Sequence, residues 1–145
     1  MAGSFIAITH AGTQDAIDIL HQLYERTGDL SEPLADAGEA LMLIHRDRFD
    51  SQTDPDGVPW APLSTKYQAR KQRYPDQILR YTGNLRDLLT YQVTPQTLYF
   101  GTPMEYGAAH QFGYDKRNLP ARPYLGLSTD DEQQILEIFS DYLAE

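Results

Sequence analysis

Histidine and cysteine are the first residues to consider for chemistry, because they ligate metals and act as bases or nucleophiles near neutral pH. The chain has no cysteine, so thiolate chemistry and disulfides are excluded. Its histidines fit no zinc-ligand or protease spacing, and the chain contains no phosphate-binding glycine loop or G-x-S-x-G element. They are His10, His21, His45 and His110. We interpret each as a hydrogen-bonded side chain at a helix end or an interface.

Two pairs of closely spaced carboxylates offer another route to catalysis, since paired acids can build a hydrolase site. Asp54 and Asp56 stand in "DPDG", where proline and glycine predict a tight turn. Asp130 and Asp131 follow a serine at a predicted helix start, where acidic residues stabilise the first turn. Both pairs thus have structural explanations. A small metal-dependent hydrolase using the first pair or His110 stays as an alternative, and no catalytic, metal or cofactor-binding residue is predicted.

Arg122 is a charged residue whose setting suggests a specific contact. It lies between Ala121 and Pro123 in "LPARPYLGL", and the prolines hold the residues before them in an extended conformation. A guanidinium on a stiff backbone is suited to bind a carboxylate through two hydrogen bonds. The sequence therefore predicts an ion pair of Arg122, either within the chain or with a neighbouring subunit.

Charge is unevenly distributed along the chain. The 145 residues carry a net charge of −9, which argues against general nucleic-acid binding because such binding depends on neutralising phosphates. Residues 66–86 nevertheless hold six basic side chains against one acidic side chain, a net of +5. This basic segment is either a solvated helix face or a contact for a second copy or another charged partner. Its interface candidates are Lys66, Arg70, Lys71 and Arg73.

The sequence shows no export signal or membrane span. The N-terminal "MAGSFIAITHAGTQD" lacks the basic and apolar regions of a signal peptide. The longest aliphatic run, "ALMLI", is far shorter than the roughly 20 residues that a membrane helix needs. We therefore expect a soluble intracellular protein without a membrane partner.

Hydrophobic periodicity predicts one α+β domain, residues 1–145. It consists of a small antiparallel sheet with a hairpin, packed by two N-terminal helices and a C-terminal helix. Strands are predicted at residues 4–10 and on both sides of a Thr-Pro-Gln turn within residues 89–102, where Tyr91, Val93, Leu98 and Phe100 would share a buried face.

Helices are predicted from start and stop signals combined with apolar stripes. The first begins at Thr13, has Tyr24 on its apolar stripe and stops at Gly28; the second begins near Ser31; the last is capped by Ser128. Shorter helices are predicted at residues 66–74, 85–89 and 103–113, with a polar loop at residues 114–118.

The only tryptophan, Trp60, stands between Pro59 and Pro62 in "PDGVPWAPLS", a stretch that can form neither a helix nor a central strand. In one interpretation the prolines stiffen the segment so that Trp60 fills the core between the second helix and the sheet, with Leu63 beside it. In the other, the same stiffness presents Trp60 to a neighbouring subunit. We favour the core position.

Four short elements, "DGVPWAPLS", "ILRYTGNL", "YGAAHQFG" and "PARPYLGLS", follow one another from about the second helix onward. In this order the chain resembles the virion morphogenesis, or tail completion, family of Mu-like tailed phages and prophages. Gly107 and Tyr124 are mild departures, because the family usually has Ala and often has Phe there. The matching residues include Gly57, Trp60, Leu63, Thr82, Gly83, Tyr106, His110, Gly113, Arg122 and Pro123.

The resemblance implies a structural, non-enzymatic protein without a cofactor that acts in tail completion or head-tail joining. It implies a virion component, assembled in the host cytoplasm, that contacts tail-tube or neck proteins. It also implies a homo-oligomeric ring, such as a hexamer. A head-side neck adaptor that contacts DNA through residues 66–86 is the alternative, and whether the motif residues serve an interface or the fold is left open.

Overall fold

Three antiparallel strands form the sheet of the computed structural model, which describes residues 4–8, 14–71, 78–79, 84–104, 106–117 and 119–145. They are β1 (Ser4–Ile8), β2 (Thr90–Val93) and β3 (Leu98–Thr102), in the order β1-β3-β2. The predicted hairpin is confirmed, with Tyr91 opposite Phe100 and Val93 opposite Leu98. The predicted first strand ends at Ile8, and residues 9–10 lie outside the described residues.

Six α-helices accompany the sheet within the described part of the chain: α1 (Gln14–Thr27), α2 (Ser31–Ser51), α3 (Thr65–Arg70), α4 (Asn84–Asp87), α5 (Gly107–Phe112) and α6 (Thr129–Ala144). Helix α2 packs on β2 and β3, and α6 packs against both α1 and α2. This arrangement confirms the predicted α+β class. None of the described helices is long and apolar enough to cross a membrane.

The N-terminal helices bury most of the stripes that their periodicity predicts. Leu20 and Leu23 of α1 are buried. The prediction that Tyr24 belongs to the buried stripe is wrong, because the residue is 38% exposed. Its hydroxyl accepts a hydrogen bond from the Gln96 side chain at the surface. Thr13, the predicted cap of α1, lies outside the described residues. The stripe predicted on α2 is buried at Leu34, Ala37, Leu41, Arg48 and Phe49 but only partly buried at Ile44, and His45 is buried beside it.

Gly38 marks the place where α2 meets the sheet most closely. A Cβ atom at this position would lie 2.6 Å from Cδ2 of Tyr91, nearer than real Cβ atoms come to another side chain. Glycine therefore lets the tyrosine ring lie directly on the helix backbone. The Tyr91 hydroxyl then reaches Glu39, to whose carboxylate it donates a 3.0 Å hydrogen bond.

The short helices differ from their predicted bounds. Helix α3 starts at Thr65, where the Ser64 hydroxyl accepts a hydrogen bond from the Tyr67 N–H, and it ends at Arg70 rather than Tyr74. Lys71, the next residue, has an extended backbone and is buried, 8% exposed. Residues 72–77 lie outside the described residues.

Two more short helices start at residues other than those predicted, and the predicted polar loop contains a turn of helix. Helix α4 begins at Asn84 and ends at Asp87, before the chain enters β2. Helix α5 begins at Gly107 instead of Pro103, since the Thr102 hydroxyl accepts the Met104 N–H and holds that stretch outside the helix. The predicted polar loop contains a single 3-10 turn, closed by a bridge between Tyr114 and Leu119.

Helix α6 begins as the sequence predicts. The Ser128 hydroxyl accepts the Asp131 N–H at 3.0 Å, and the Asp131 carboxylate accepts the Ser128 N–H at 2.9 Å. This reciprocal capping box satisfies two backbone donors of the first turn. The pair Asp130 and Asp131 thus lies at a helix start, as expected.

Candidate functional site

The family-like elements meet at two extended stretches, which we call the Pro-Trp segment (residues 55–64) and the Arg-Pro segment (residues 119–127). The Pro-Trp segment starts in a turn built by Asp54. Its Oδ1 accepts hydrogen bonds from the Asp56 and Val58 N–H groups, both at 2.9 Å. Gly57 completes the turn and donates its N–H to the Asp54 carbonyl. This carboxylate therefore shapes the backbone, which is the structural role expected for it.

Trp60 connects the two segments from the core. The side chain is 4% exposed, and its Nε1–H donates a 2.7 Å hydrogen bond to the Pro123 carbonyl. Its ring meets Phe49 of α2 edge to face at 5.4 Å between centroids. Of the two interpretations, the structure shows the core position. These contacts place Trp60 against the end of the second helix, as predicted, and against the Arg-Pro segment, which was not predicted; Leu63 is partly buried.

Arg122 makes the reciprocal connection. Its Nε donates to the Ala61 carbonyl at 2.7 Å and its Nη2 donates to the Pro62 carbonyl at 3.1 Å. Among the residues that the structure describes, no carboxylate pairs with Arg122; its buried side chain, 5% exposed, binds these carbonyls where a carboxylate was expected. The segment between Pro59 and Pro62 leaves carbonyls free of helix or sheet bonding, and a buried guanidinium satisfies them.

Two further side chains, those of Gln111 and Arg48, hold the Arg-Pro segment by its backbone. The Gln111 carboxamide oxygen accepts the N–H groups of Tyr124 and Leu125, both at 2.9 Å, and its nitrogen donates to the Leu125 carbonyl at 3.0 Å. Arg48 donates to the Tyr124 and Gly126 carbonyls at 2.7 and 3.2 Å. A stretch without regular secondary structure thus has its buried backbone groups paired by side chains.

His45 and Arg48 form the buried polar layer behind this segment. The His45 Nδ1 lies 2.8 Å from the Leu41 carbonyl, and the Gly126 N–H approaches its Nε2 at 3.4 Å. Burial, helped by the positive charge of Arg48, lowers the pKa of His45 to about 4. Burial also lowers the pKa of Arg48, while the Asp131 carboxylate, 3.0 Å away, acts in the opposite direction. His45 is therefore neutral near neutral pH, while Arg48 stays charged.

Helix α5 supports the Arg-Pro segment from the other side. The His110 carbonyl accepts the Arg122 N–H at 2.7 Å, and the His110 ring meets Tyr106 edge to face at 5.8 Å. Burial, and then the charge of Arg122, lower the pKa of His110. Gly113 ends the helix at φ +81°, where a Cβ atom would lie 3.0 Å from the Ala121 nitrogen. A side chain there is disfavoured by both conformation and space.

The basic segment does not form one continuous surface in the described residues. Lys66 and Arg70 are exposed on α3, whereas Lys71 is buried. Arg86 pairs with Asp50 of α2 at 3.2 Å and with Asp87 at 3.3 Å. Three of the remaining predicted residues, Arg73, Thr82 and Gly83, lie outside the described residues. Pro123 is partly buried and contributes the carbonyl that Trp60 binds.

Sequence reasoning omitted His45, Arg48 and Gln111 from the predicted site residues. The signal for Gln111 was its place in the "YGAAHQFG" element. Nothing in the sequence marks His45 or Arg48 as partners of residues about eighty positions later. Among the residues that the structure describes, no group of three or more histidine, aspartate or glutamate side chains is arranged to hold a metal ion.

Sequence comparisons with known proteins identify relatives in the family that the four motif elements indicate. The chain is 32% identical over 108 residues to the "Putative capsid assembly protein G" of Escherichia phage Mu, covering 68% of this chain and 69% of that protein. It is 33% identical over 103 residues to the "Mu-like prophage FluMu G protein 1" of Haemophilus influenzae, covering 67% and 68% respectively. No solved structure matches significantly. A model of the phage virion morphogenesis family matches residues 12–144, and the chain therefore belongs to that family.

Proposed function

We propose that this chain is a structural protein of tail completion or head-tail joining in a Mu-like phage or prophage, and that it works as a homo-oligomeric ring. The observation that carries the proposal is the family match over residues 12–144, which gives a role in phage assembly. The site adds support, since the motif residues lock backbone segments together. Asp54 and Asp131 are held in a turn and a helix cap.

Exposed aromatic side chains support an assembly role. Phe112 is 76% exposed on α5, and Tyr67, Tyr106 and Tyr114 are each about two-fifths exposed on or beside α3 and α5. Aromatic side chains are enriched at protein–protein interfaces, where they bury a large apolar surface. In a ring, such residues would contact a neighbouring copy or a tail or neck protein.

The test is removal of the gene from the phage or prophage genome that encodes this chain, followed by electron microscopy of the induced lysate. We expect complete heads and tails that stay unjoined, or tails of irregular length, and recovery when the wild-type gene is supplied. Aberrant or missing heads would contradict tail completion and favour capsid assembly, the function in the name of the Mu relative. Normal infectious particles would contradict both.

The head-side adaptor that contacts DNA is the second candidate, because Lys66 and Arg70 are exposed on α3. It predicts salt-dependent retention of duplex DNA that Lys66→Glu with Arg70→Glu abolishes, because each lost cation removes a phosphate contact. The burial of Lys71 and the pairing of Arg86 leave fewer cations for such a contact than the sequence count suggests. Equal DNA retention by the variant would contradict this candidate.

A further inference from the structure

Helix α3 is a helix without a buried face. None of its six residues is buried, and Tyr67 is 41% exposed between the exposed cations Lys66 and Arg70. Neither cation makes an ion pair among the described residues. A helix this short gains little stability by itself, because helices in proteins are stabilised mainly by packing an apolar face. The exposed side of α3 therefore has the character of a contact surface.

A second exposed surface, with the opposite charge, runs along α2. We call it the acidic stripe, and its members are the exposed residues Glu32, Asp36, Glu39, Leu43, Asp47 and Asp50. Their spacing of three and four residues places them on one helix face. Leu43 is 64% exposed in the middle of this face, with Glu39 before it and Asp47 after it. Arg46 flanks the stripe and offsets part of its charge.

Some carboxylates of the stripe already have partners within the chain. The Tyr142 hydroxyl donates to Asp36, the Tyr91 hydroxyl donates to Glu39, and Arg86 pairs with Asp50. Asp47 has no such partner among the described residues. The part of the stripe that remains available thus centres on Leu43 and Asp47, with the exposed carboxylate of Glu39 completing it.

We propose that α3 of one copy docks on the acidic stripe of a second copy, an inference that rests on the proposed ring. Tyr67 would cover Leu43, while Lys66 and Arg70 would face Glu39 and Asp47. Lys66 and Arg70 are separated by about 6 Å along their helix axis, and Glu39 and Asp47 by about 12 Å. Long basic side chains span the difference.

This contact joins two different surfaces of the same chain. It leaves a free α3 on one copy and a free acidic stripe on the other, so repetition generates a ring when the rotation closes. Opposite charges around an apolar centre fix the register of the contact and accelerate encounter. A second copy fits α3 better than DNA, because its acidic stripe offers carboxylates around the apolar side chain of Leu43, which matches the two cations around Tyr67.

Cross-linking tests the contact directly, since the chain has no native cysteine. Leu43→Cys and Tyr67→Cys chains are mixed and treated with a short bismaleimide, and the products are mapped by mass spectrometry. We expect a 43–67 cross-link between chains as the main product. The matched control is Tyr67→Cys mixed with Glu137→Cys, whose residue is exposed on α6. A 43–67 yield no higher than this control overturns the proposal.

Charge exchange gives a second readout by sedimentation velocity. The Lys66→Glu/Arg70→Glu chain and the Glu39→Lys/Asp47→Lys chain should each self-associate at least about tenfold more weakly than wild type, because like charges then face each other. An equimolar mixture of the two should recover association, since each contact again pairs opposite charges. Lys116→Glu and Glu137→Lys, at exposed positions outside both surfaces, should leave association unchanged.

The results of these experiments distinguish a failure of the proposed contact from a failure of the proposed ring. Oligomers that persist in both charge variants, without a 43–67 cross-link, overturn the contact and leave the ring standing on another surface. A wild-type chain that stays monomeric, together with Leu43→Cys and Tyr67→Cys chains that give no 43–67 cross-link, overturns the contact and the ring together. Recovery of association by the mixture supports both.

Discussion

Replacing Trp60 measures how strongly the Pro-Trp and Arg-Pro segments are held together. Trp60→Ala removes a 4% exposed ring that contacts Phe49 edge to face, so the free energy of unfolding should fall by about 3–5 kcal/mol. Trp60→Phe keeps an aromatic ring in the core but removes the Nε1–H donor, which leaves the Pro123 carbonyl without this partner. Its expected cost is about 1–3 kcal/mol.

Urea unfolding followed by far-ultraviolet circular dichroism measures both losses, since the chain has no other tryptophan to report by fluorescence. Phe112→Ala is the control, because this ring is 76% exposed and its removal should change stability by less than about 0.5 kcal/mol. A Trp60→Ala chain as stable as wild type would refute the core position. Equal losses for Trp60→Ala and Trp60→Phe would show that the hydrogen bond, rather than the ring packing, carries the stability.

Three further predictions concern the interior around α2. Arg48→Met should destabilise the chain by about 3–5 kcal/mol, because Asp131 loses its positively charged partner and two backbone carbonyls lose the Arg48 donor. A loss under about 1 kcal/mol in urea unfolding would contradict this. The folded-state pKa of His45, about 4, lies below its ordinary value of 6.5, so the stability it contributes is complete above pH 6.5 and is lost as the pH falls toward 4. The slope is at most about 1.4 kcal/mol per pH unit, and unfolding curves across this range should lose that component in His45→Gln; an unchanged slope would argue against the assignment. Gly38→Ala should lower the free energy of unfolding by about 1–3 kcal/mol, because the new Cβ meets the Tyr91 ring. In a chain that also carries Tyr91→Ala, most of this loss should disappear. Strictly additive losses of the two substitutions would show that the ring is not the obstacle.

Elements with local signals were predicted well from the sequence. The Ser128 cap of α6 and the acidic residues of its first turn are neighbours in the sequence, so local sequence alone indicates them. The hairpin follows from alternating residues on both sides of a Thr-Pro-Gln turn. The end of α3 at Arg70 was not predicted: the next residue, Lys71, is extended and buried, whereas a basic side chain is normally expected at the surface.

The partners of Arg122 show the same limit at the candidate site. The sequence correctly singles out this guanidinium on a stiff backbone, but a carboxylate was the expected acceptor. In the fold it binds the carbonyls of Ala61 and Pro62, about sixty residues earlier. Every residue has a backbone carbonyl, so the residue types in a sequence do not indicate which carbonyls lack a hydrogen-bond partner.

The sequence by itself determined the α+β class, the Ser128 cap, the hairpin and the four motif elements that mark the phage virion morphogenesis family. These features depend on periodicity and on residue types a few positions apart. Only the tertiary structure decided that Trp60 and Arg122 connect two extended segments, and that His45, Arg48 and Gln111 satisfy the backbone between them. The physical reason is that an extended segment inside a protein must pair its backbone groups, and the side chains that do so are chosen by spatial proximity.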